Sequence, residues 1–389
     1  MSGSQVSAEP GKTSLLELAG IFLRLGCTAF GGPAAHIALM QQEFVEKRRW
    51  LTNAEFLDLL GATNLIPGPN STEMAIHIGL RRCGGWGLWI AGLCFITPAA
   101  LLAGLIGWLY LRAGKLPAAL SIFQTIQPVM LAVILQAMFS LGRGMIRGVR
   151  LWLLVLTATA LTCAAVNELA VLALTALVAL LWPKPLAENR AAMVAAVPGG
   201  LAAPTLGAVA ATSLAYSSKT LFWFFLKIGS ILFGSGYVLM AYLQNGLVDK
   251  YHWLTQQQLL DAIAVGQFTP GPVLATSTFI GFILGGTTGA VAATVGIFLP
   301  AFIFVALSGP IIPRLRSWPA AGRVLDGLNA ASFALLGVVL ANLSANTLQS
   351  REPILIFLLS GYLLFRLRMN SVWLILAAGL WGLLRLWLH

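Results

Sequence analysis

Along most of the chain, polar residues come in short clusters and the stretches between them are apolar, several of them long enough to cross a bilayer. Such runs fall at about 86–110, 118–141, 151–166, 169–182 and 191–217, and again at 287–308, 324–345, 354–366 and 372–388. Each predicts a helical span, although some are shorter than the roughly 20 residues that an upright crossing needs. The run at 191–217 carries Pro198, Gly199, Gly200 and Pro204 and is the least regular. A second kind of segment is apolar but broken at its middle. Residues 54–80 read as a helix ending near Ile66, a Pro67-Gly68-Pro69 interruption, and a second helix opening at Asn70-Ser71-Thr72-Glu73. Pro and Gly stop one helix, and Asn and Ser cap the next.

This broken segment occurs twice. Phe30-Gly31-Gly32-Pro33, Lys47-Arg48-Arg49-Trp50-Leu51-Thr52 and Pro67-Gly68-Pro69 return 203 residues later as Phe233-Gly234-Ser235-Gly236, Lys250-Tyr251-His252-Trp253-Leu254-Thr255 and Pro270-Gly271-Pro272. The register holds without a gap from Phe22/Phe225 to Pro69/Pro272. After one deletion it resumes at Gly87/Gly289 and Pro98/Pro300. Two copies of one transporter unit are expected, at 14–190 and 218–389, joined by an uncertain connecting span at 191–217.

If the broken element turns back on itself, Lys47-Arg48-Arg49, Arg81-Arg82 and the loop with Arg143, Arg147 and Arg150 share one face, which the positive-inside rule makes cytoplasmic. Five spans then precede the second copy and place Lys250 outside. The loops at Arg314, Arg316 and Arg323, and at Arg366 and Arg368, return inside. The expected fold class is an all-α polytopic membrane protein, with two inverted-topology repeats and broken or re-entrant helices at the Phe-Gly-Gly-Pro and Pro-Gly-Pro motifs.

Composition agrees. A chain of 389 residues that is 58% hydrophobic and 10% charged cannot hide its apolar side chains in one soluble core. The net charge of +11 is scattered in small clusters between apolar runs, which argues for membrane topology and against nucleic acid. Residues 1–12 are polar and lack the layout of a cleavable signal, so an uncleaved inner-membrane protein is expected. Cys27, Cys83, Cys94 and Cys163 form no CxxC or Cys/His spacing, so no metal or cofactor is implied. No GxxxxGK[ST] loop suggests ATP-driven pumping.

In inverted-repeat transporters, substrate sits where broken helices from the two halves converge, with half-helix N-termini aimed at anions. The candidate donors are the backbone and side chains of Asn70, Ser71 and Thr72 and the matching stretch Val273 to Thr276, and the Pro67-Gly68-Pro69 and Pro270-Gly271-Pro272 turns beside them are counted as substrate-binding positions. Asn64 and Gln267, matched three residues before the first Pro, are candidates to line the site. Arg24 and its repeat mate Lys227 lie in apolar helices, where an unpaired cation costs about 2.5–3.5 kcal/mol. A dianion could neutralise both; snorkelling to an interface is the alternative. Glu73 has Thr276 in its place in the second copy, and a lone carboxylate beside an anion could carry a proton or simply cap a helix. His36 and His77 are further proton candidates. Gly31, Gly32, Pro33, Gly234 and Gly236 are read as structural.

These motifs, Phe30-Gly31-Gly32-Pro33, Asn64-Leu-Ile-Pro-Gly-Pro-Asn-Ser-Thr-Glu-Met74 and Gln267-Phe-Thr-Pro-Gly-Pro272, resemble those of the chromate ion transporter family in its long two-domain form, over residues 14 to 388. The resemblance implies a non-enzymatic secondary transporter that exports chromate across the bacterial inner membrane by proton-coupled antiport and confers chromate resistance. Its implied partners are chromate or a similar oxyanion, protons and the lipid bilayer, with homo-oligomers left open. His252 stands where the family is expected to tolerate a small residue such as Gly. A sulfate or related oxyanion carrier is the alternative, and an intramembrane enzyme acting on lipid-linked phosphate is a more distant one.

Overall fold

The computed structural model describes residues 13–30, 32–113, 116–145, 148–164, 166–182, 216–233, 236–317 and 319–388. Gly31, Gly234 and nearly all of the expected 191–217 span lie outside the described residues. Among the described residues every regular element is helical. The first series is α1 (Leu15–Thr28), α2 (Pro33–Gln41), α3 (Asn53–Thr63), α4 (Asn70–Ala113), α5 (Pro117–Met145), α6 (Val149–Cys163) and α7 (Glu168–Leu181). The second is α8 (Ser218–Ile231), α9 (Leu239–Leu243), α10 (Gln256–Phe268), α11 (Thr276–Ser317), α12 (Pro319–Thr347), α13 (Arg351–Arg366) and α14 (Ser371–Leu388).

The repeat extends well past the sequence motifs. Helices α1 and α8 begin 203 residues apart, and α5 and α12, each opening on a proline, begin and end 202 apart. A π-helical turn follows α2 at Gln42–Lys47 and α9 at Gln244–Lys250. Two residues past each turn the backbone is left-handed, at Arg49 with φ 51° and at His252 with φ 53°. That conformation favours glycine, which is the physical reason a small residue is expected at His252.

Local chemistry explains the helix ends. Ser14 caps α1 through the Glu17 amide at 3.1 Å. Leu18, Ile21, Phe22 and Leu25 give α1 a buried stripe at helical spacing. Thr52 and Glu55 form a reciprocal capping box on α3. Helix α3 stops at Thr63 rather than near Ile66, because the Leu65 amide turns back to the Ala62 carbonyl and Asn64 becomes the C-cap.

Helix α4 is a hairpin. Its backbone leaves helical geometry at Cys83 and Gly84, the latter at φ 62°. A Cβ placed on Gly79 would overlap the Gly87 carbonyl oxygen. Eight residues of continuous helix would hold those positions about 12 Å apart, so the arms 70–82 and 85–113 run antiparallel in backbone contact. Helix α11 repeats this with a break at Gly285 and Gly286, and there a Cβ on Gly281 would overlap the Gly289 carbonyl oxygen in the same way.

The broken element has the expected re-entrant shape. Glu55 at the start of α3 pairs with Arg81 at the end of the first α4 arm, so the two rise side by side to the Pro-Gly-Pro tip. At their base, Arg82 donates to the Thr13 hydroxyl at 2.8 Å and lies 4.6 Å from the centre of the Trp50 ring, which Arg48 approaches to 5.5 Å. The two basic clusters therefore share one face.

Packing divides the chain into two compact units, each drawing on both halves. The first comprises residues up to Ala113, Ser217–Leu232 and Val265–Pro313. In it, the second α4 arm leaves Cys83 beside the Thr13 carbonyl and passes α1, where Gly26 abuts the Phe95 carbonyl. Farther on, Gly104 and Gly107 meet Thr278 and Phe282 of the first α11 arm. Numbers rise together there, so the first α11 arm points away from the base to which the first α4 arm returns. The second α11 arm comes back, and Phe302 stacks on Trp89 with centroids 4.7 Å apart.

The second unit comprises Gly114–Tyr216, Phe233–Ala264 and Arg314–His389. Buried Arg150 of α6 donates to the Ala179 carbonyl of α7 at 2.7 Å and reaches Asp326 of α12 at 3.5 Å. Ser121 and Thr125 of α5 donate to the Gly382 and Ala378 carbonyls of α14. Among the described residues, four helical runs, within α4, α5, α11 and α12, are long and apolar enough to cross a membrane.

The hairpins make a direct prediction. Gly79→Val drives a side chain into backbone that cannot move without parting the arms, and should cost about 1–3 kcal/mol. Gly20→Ala, at a position with open space around it, should instead be neutral or stabilising by up to about 1 kcal/mol. Thermal unfolding of both variants in detergent checks the contrast.

Candidate functional site

The two Pro-Gly-Pro tips are clamped by a reciprocal pair of backbone hydrogen bonds. The Gly68 amide donates to the Leu232 carbonyl at the end of α8, and the Gly271 amide donates to the Ala29 carbonyl at the end of α1, both at 2.8 Å. Gly68 and Gly271 are repeat mates, and so are Ala29 and Leu232. Each tip thus seals the helix end of the other copy. Glycine is required at both, since φ is 142° at Gly68 and 88° at Gly271. A Cβ on Gly271 would also crowd the Ala99 side chain and the Gly26 carbonyl.

Around the first tip the buried residues are polar. His36 on α2 is 1% exposed. Its Nε2 lies 3.1 Å from the Ala29 carbonyl and its Nδ1 lies 3.2 Å from the Ser71 hydroxyl. A neutral ring that donates from Nε2 leaves Nδ1 to accept from Ser71. The Ala29 carbonyl thereby serves both the second tip and the imidazole, which links Gly271, α1, α2 and the start of α4. Gly32, at φ 80°, precedes Pro33 at the first position of α2 and sets the entry of the helix that carries His36. Gly236 occupies a 3-10 turn in the corresponding place.

At the start of α4 the Pro69 carbonyl accepts the Thr72 and Glu73 amides at 2.8 and 3.0 Å. The Asn70 and Ser71 amides are the ones that an α-helix leaves without an internal partner. Asn70 donates to the Asn64 side chain at 2.6 Å, tying the two ends of the tip together. Thr72 and Glu73 are 0% exposed. The Thr72 hydroxyl, both Glu73 carboxyl oxygens and His77 Nε2 are buried without a hydrogen-bond partner among the described residues. Glu73 folds back so that its Oε1 occupies the space a Gly68 side chain would need. His77 lies one helical turn from Glu73 on the same face.

The second tip is built differently. Val273–Ala275 is a 3-10 turn, and Thr276, 2% exposed, donates to its own Val273 carbonyl at 2.8 Å. Gln267 is buried at the end of α10. Pro67, Pro69, Pro270 and Pro272 shape the tips without donating amides.

Arg24 is placed elsewhere than at the tips. It binds Glu43 at 2.6 Å, and the same carboxylate takes Arg48 at 2.8 Å and Lys47 at 3.9 Å, while Arg48 also reaches Glu17 at 2.9 Å. Its side chain is 56% exposed. Lys227 occupies an exposed position on α8. Sequence reasoning missed Glu43, which stands among Gln41, Gln42 and Glu46 and so carries no distinct signal in the sequence. It also missed the Ala29 and Leu232 carbonyls, which carry no side-chain signal at all.

Helical hairpins tipped by broken helices, repeated and cross-linked, with unsatisfied polar atoms buried between apolar spans, define a polytopic membrane transport fold. The sequence pattern of the chromate transporter family matches residues 16–182 and 219–383, and the chain belongs to that family. It is 32% identical over 384 residues to the chromate transport protein of Cupriavidus metallidurans, covering 95% of this chain and 93% of that one. It is 32% identical over 390 residues to the chromate transport protein of Pseudomonas aeruginosa, covering 96% and 93%. A probable chromate transport protein of Synechococcus elongatus is 32% identical over 336 residues, covering 84% of each chain. No solved structure matches. With its several apolar helices, this is a multi-pass protein of the bacterial inner membrane.

The Glu43 hub gives a pH prediction. Burial pushes the Glu43 carboxyl up, but the Arg48 hydrogen bond and the charges of Arg24, Arg48 and Lys47 outweigh it and hold the group below its ordinary value. A depressed carboxyl adds stability above its unfolded range and loses it as pH falls through the folded value. Glu43→Gln should therefore be less stable near neutrality by about 1–3 kcal/mol. Melting curves across a pH series should show the gap closing on acidification.

Proposed function

We propose that this chain exports chromate by proton-coupled secondary transport and so confers chromate resistance, with the oxyanion held at the Pro-Gly-Pro tips. The observation that carries the reading is the buried, unpartnered set at the first tip, Thr72 and Glu73 with His77 one turn on, in a member of a family whose relatives are named for chromate transport. Hydroxyls and helix-start amides suit a tetrahedral dianion. Asn64, Asn70 and Ser71 complete the first tip, and Gln267 and Thr276 flank the second. Arg24, held by Glu43, and Lys227 supply positive charge along the approach. Glu73 is the proton carrier, with His36 and His77 as accessory proton sites.

The two repeats are inverted across the bilayer. Support comes from the opposed directions of the first α4 and α11 arms and from the reciprocal tip bonds. Single cysteines from Arg48→Cys and Tyr251→Cys should label from opposite sides of the membrane; labelling from one side removes the inversion.

Inverted membrane vesicles should accumulate chromate saturably when energised, and sulfate added as a competitor reports how sharply the site distinguishes the two oxyanions. Arg24→Ala and Lys227→Ala should each lower that uptake severalfold. Absence of uptake in vesicles that contain well-folded protein rules out chromate export, and full uptake in both variants removes the two cations from the path.

A further inference from the structure

We infer that the first tip takes up one proton together with one dianion, so that Glu73 couples chromate to proton movement in the same direction, not by the exchange that the resemblance implies. The inference rests on the reading that the tips hold the anion. The first α4 arm, 70–82, presents its Asn70 and Ser71 amides and the unpartnered Thr72 hydroxyl at its N-terminal end. The Glu73 carboxyl shares that end, because its Oε1 is folded back against Gly68. Anion and carboxyl must occupy the same small, water-poor space.

The charged and titratable groups on the elements packed around Glu73 do not form an ion pair with it among the described residues. On its own arm, His77 lies one turn away, and Arg81 pairs with Glu55 of α3, which also carries Asp58. From α2 comes His36, engaged with Ala29 and Ser71. The second α4 arm carries Cys94, Tyr110 packed on Phe279, and Arg112 over the Trp108 ring, and the Val273–Ala275 turn offers none. On α1, Arg24 is held by Glu43, and on α8, Lys227 precedes Leu232 by more than a turn. An ionised Glu73 would therefore put three negative charges at one tip. A neutral Glu73 instead donates its O–H to the anion, a charge-assisted hydrogen bond.

Symmetry sets the count. Thr276 stands at the second tip in place of Glu73 and spends its hydroxyl on Val273. The pair of tips thus holds one carboxyl, giving one proton per dianion. The loaded protein moves a net single negative charge, which an inside-negative membrane potential drives outward.

Calorimetric titration of the purified full chain with chromate, in two buffers of different ionisation enthalpy and at alkaline pH where chromate stays a dianion, counts the protons exchanged on binding. Uptake is expected to rise with pH toward one proton per chromate, as the carboxyl of the empty tip becomes ionised, and from there affinity falls about tenfold per pH unit. Glu73→Gln should bind with no proton uptake and with an affinity that no longer changes with pH. Proton release on binding, or binding by the wild type with no proton taken up anywhere across the alkaline range, overturns the coupling while leaving the tip site standing. Failure of the wild type to bind chromate at any pH overturns the tip site itself.

Discussion

Two hydrogen bonds, from Gly68 to Leu232 and from Gly271 to Ala29, organise the first compact unit. In a low-dielectric setting a backbone amide or carbonyl without a partner is expensive, and a broken helix exposes several of each. The chain solves the problem by crossing its copies: the amide freed by one broken element satisfies the carbonyl freed at the end of the other copy's first helix. Only glycine has the backbone freedom to offer its amide there, and the flanking prolines keep a helix from running through the tip. The position of His36, Ser71 and Glu73 follows from that clamp.

On this near-symmetric frame the chemistry is one-sided. His36 and Ser71 brace the Ala29 carbonyl, whereas their mates are Leu239 and Leu274. Glu43 gathers Arg24, Lys47 and Arg48, whereas Gly246 stands in its place and the corresponding loop stacks Tyr251 on Trp253 at 4.8 Å. The backbone pattern is shared by two copies, and side chains present in one copy supply polarity and charge.

Much of this was legible in the residues. Proline and glycine punctuate the chain at Pro67-Gly68-Pro69 through local backbone physics, so the helix breaks and the start of α4 at Asn70 could be read directly. The re-entrant shape followed from the basic clusters, and the Glu55–Arg81 pair and the Arg82–Trp50 contact place those clusters on one face. The span after Arg82 was legible as apolar, but the hairpin that precedes it was not. It depends on Gly79 meeting Gly87 across a turn, a contact that no periodicity announces. Likewise α5–α7 and α12–α14 preserve the repeat in shape after their sequences have diverged, since lipid-facing positions accept any apolar side chain.

What the sequence determined alone, then, was the kind of environment, the duplication and the places where helices must break, because hydropathy, register and Pro/Gly stereochemistry are local. The tertiary structure decided who meets whom. In sequence Arg24 reads as an unpaired cation awaiting a substrate, and folding sets it on Glu43, 19 residues away. Glu73 reads equally well as a helix cap or a proton carrier, and burial against Gly68 with no partner among the described residues separates it from an ordinary cap. Desolvation and pairing depend on neighbours distant in the chain, and for that physical reason they cannot be read from any one stretch of it.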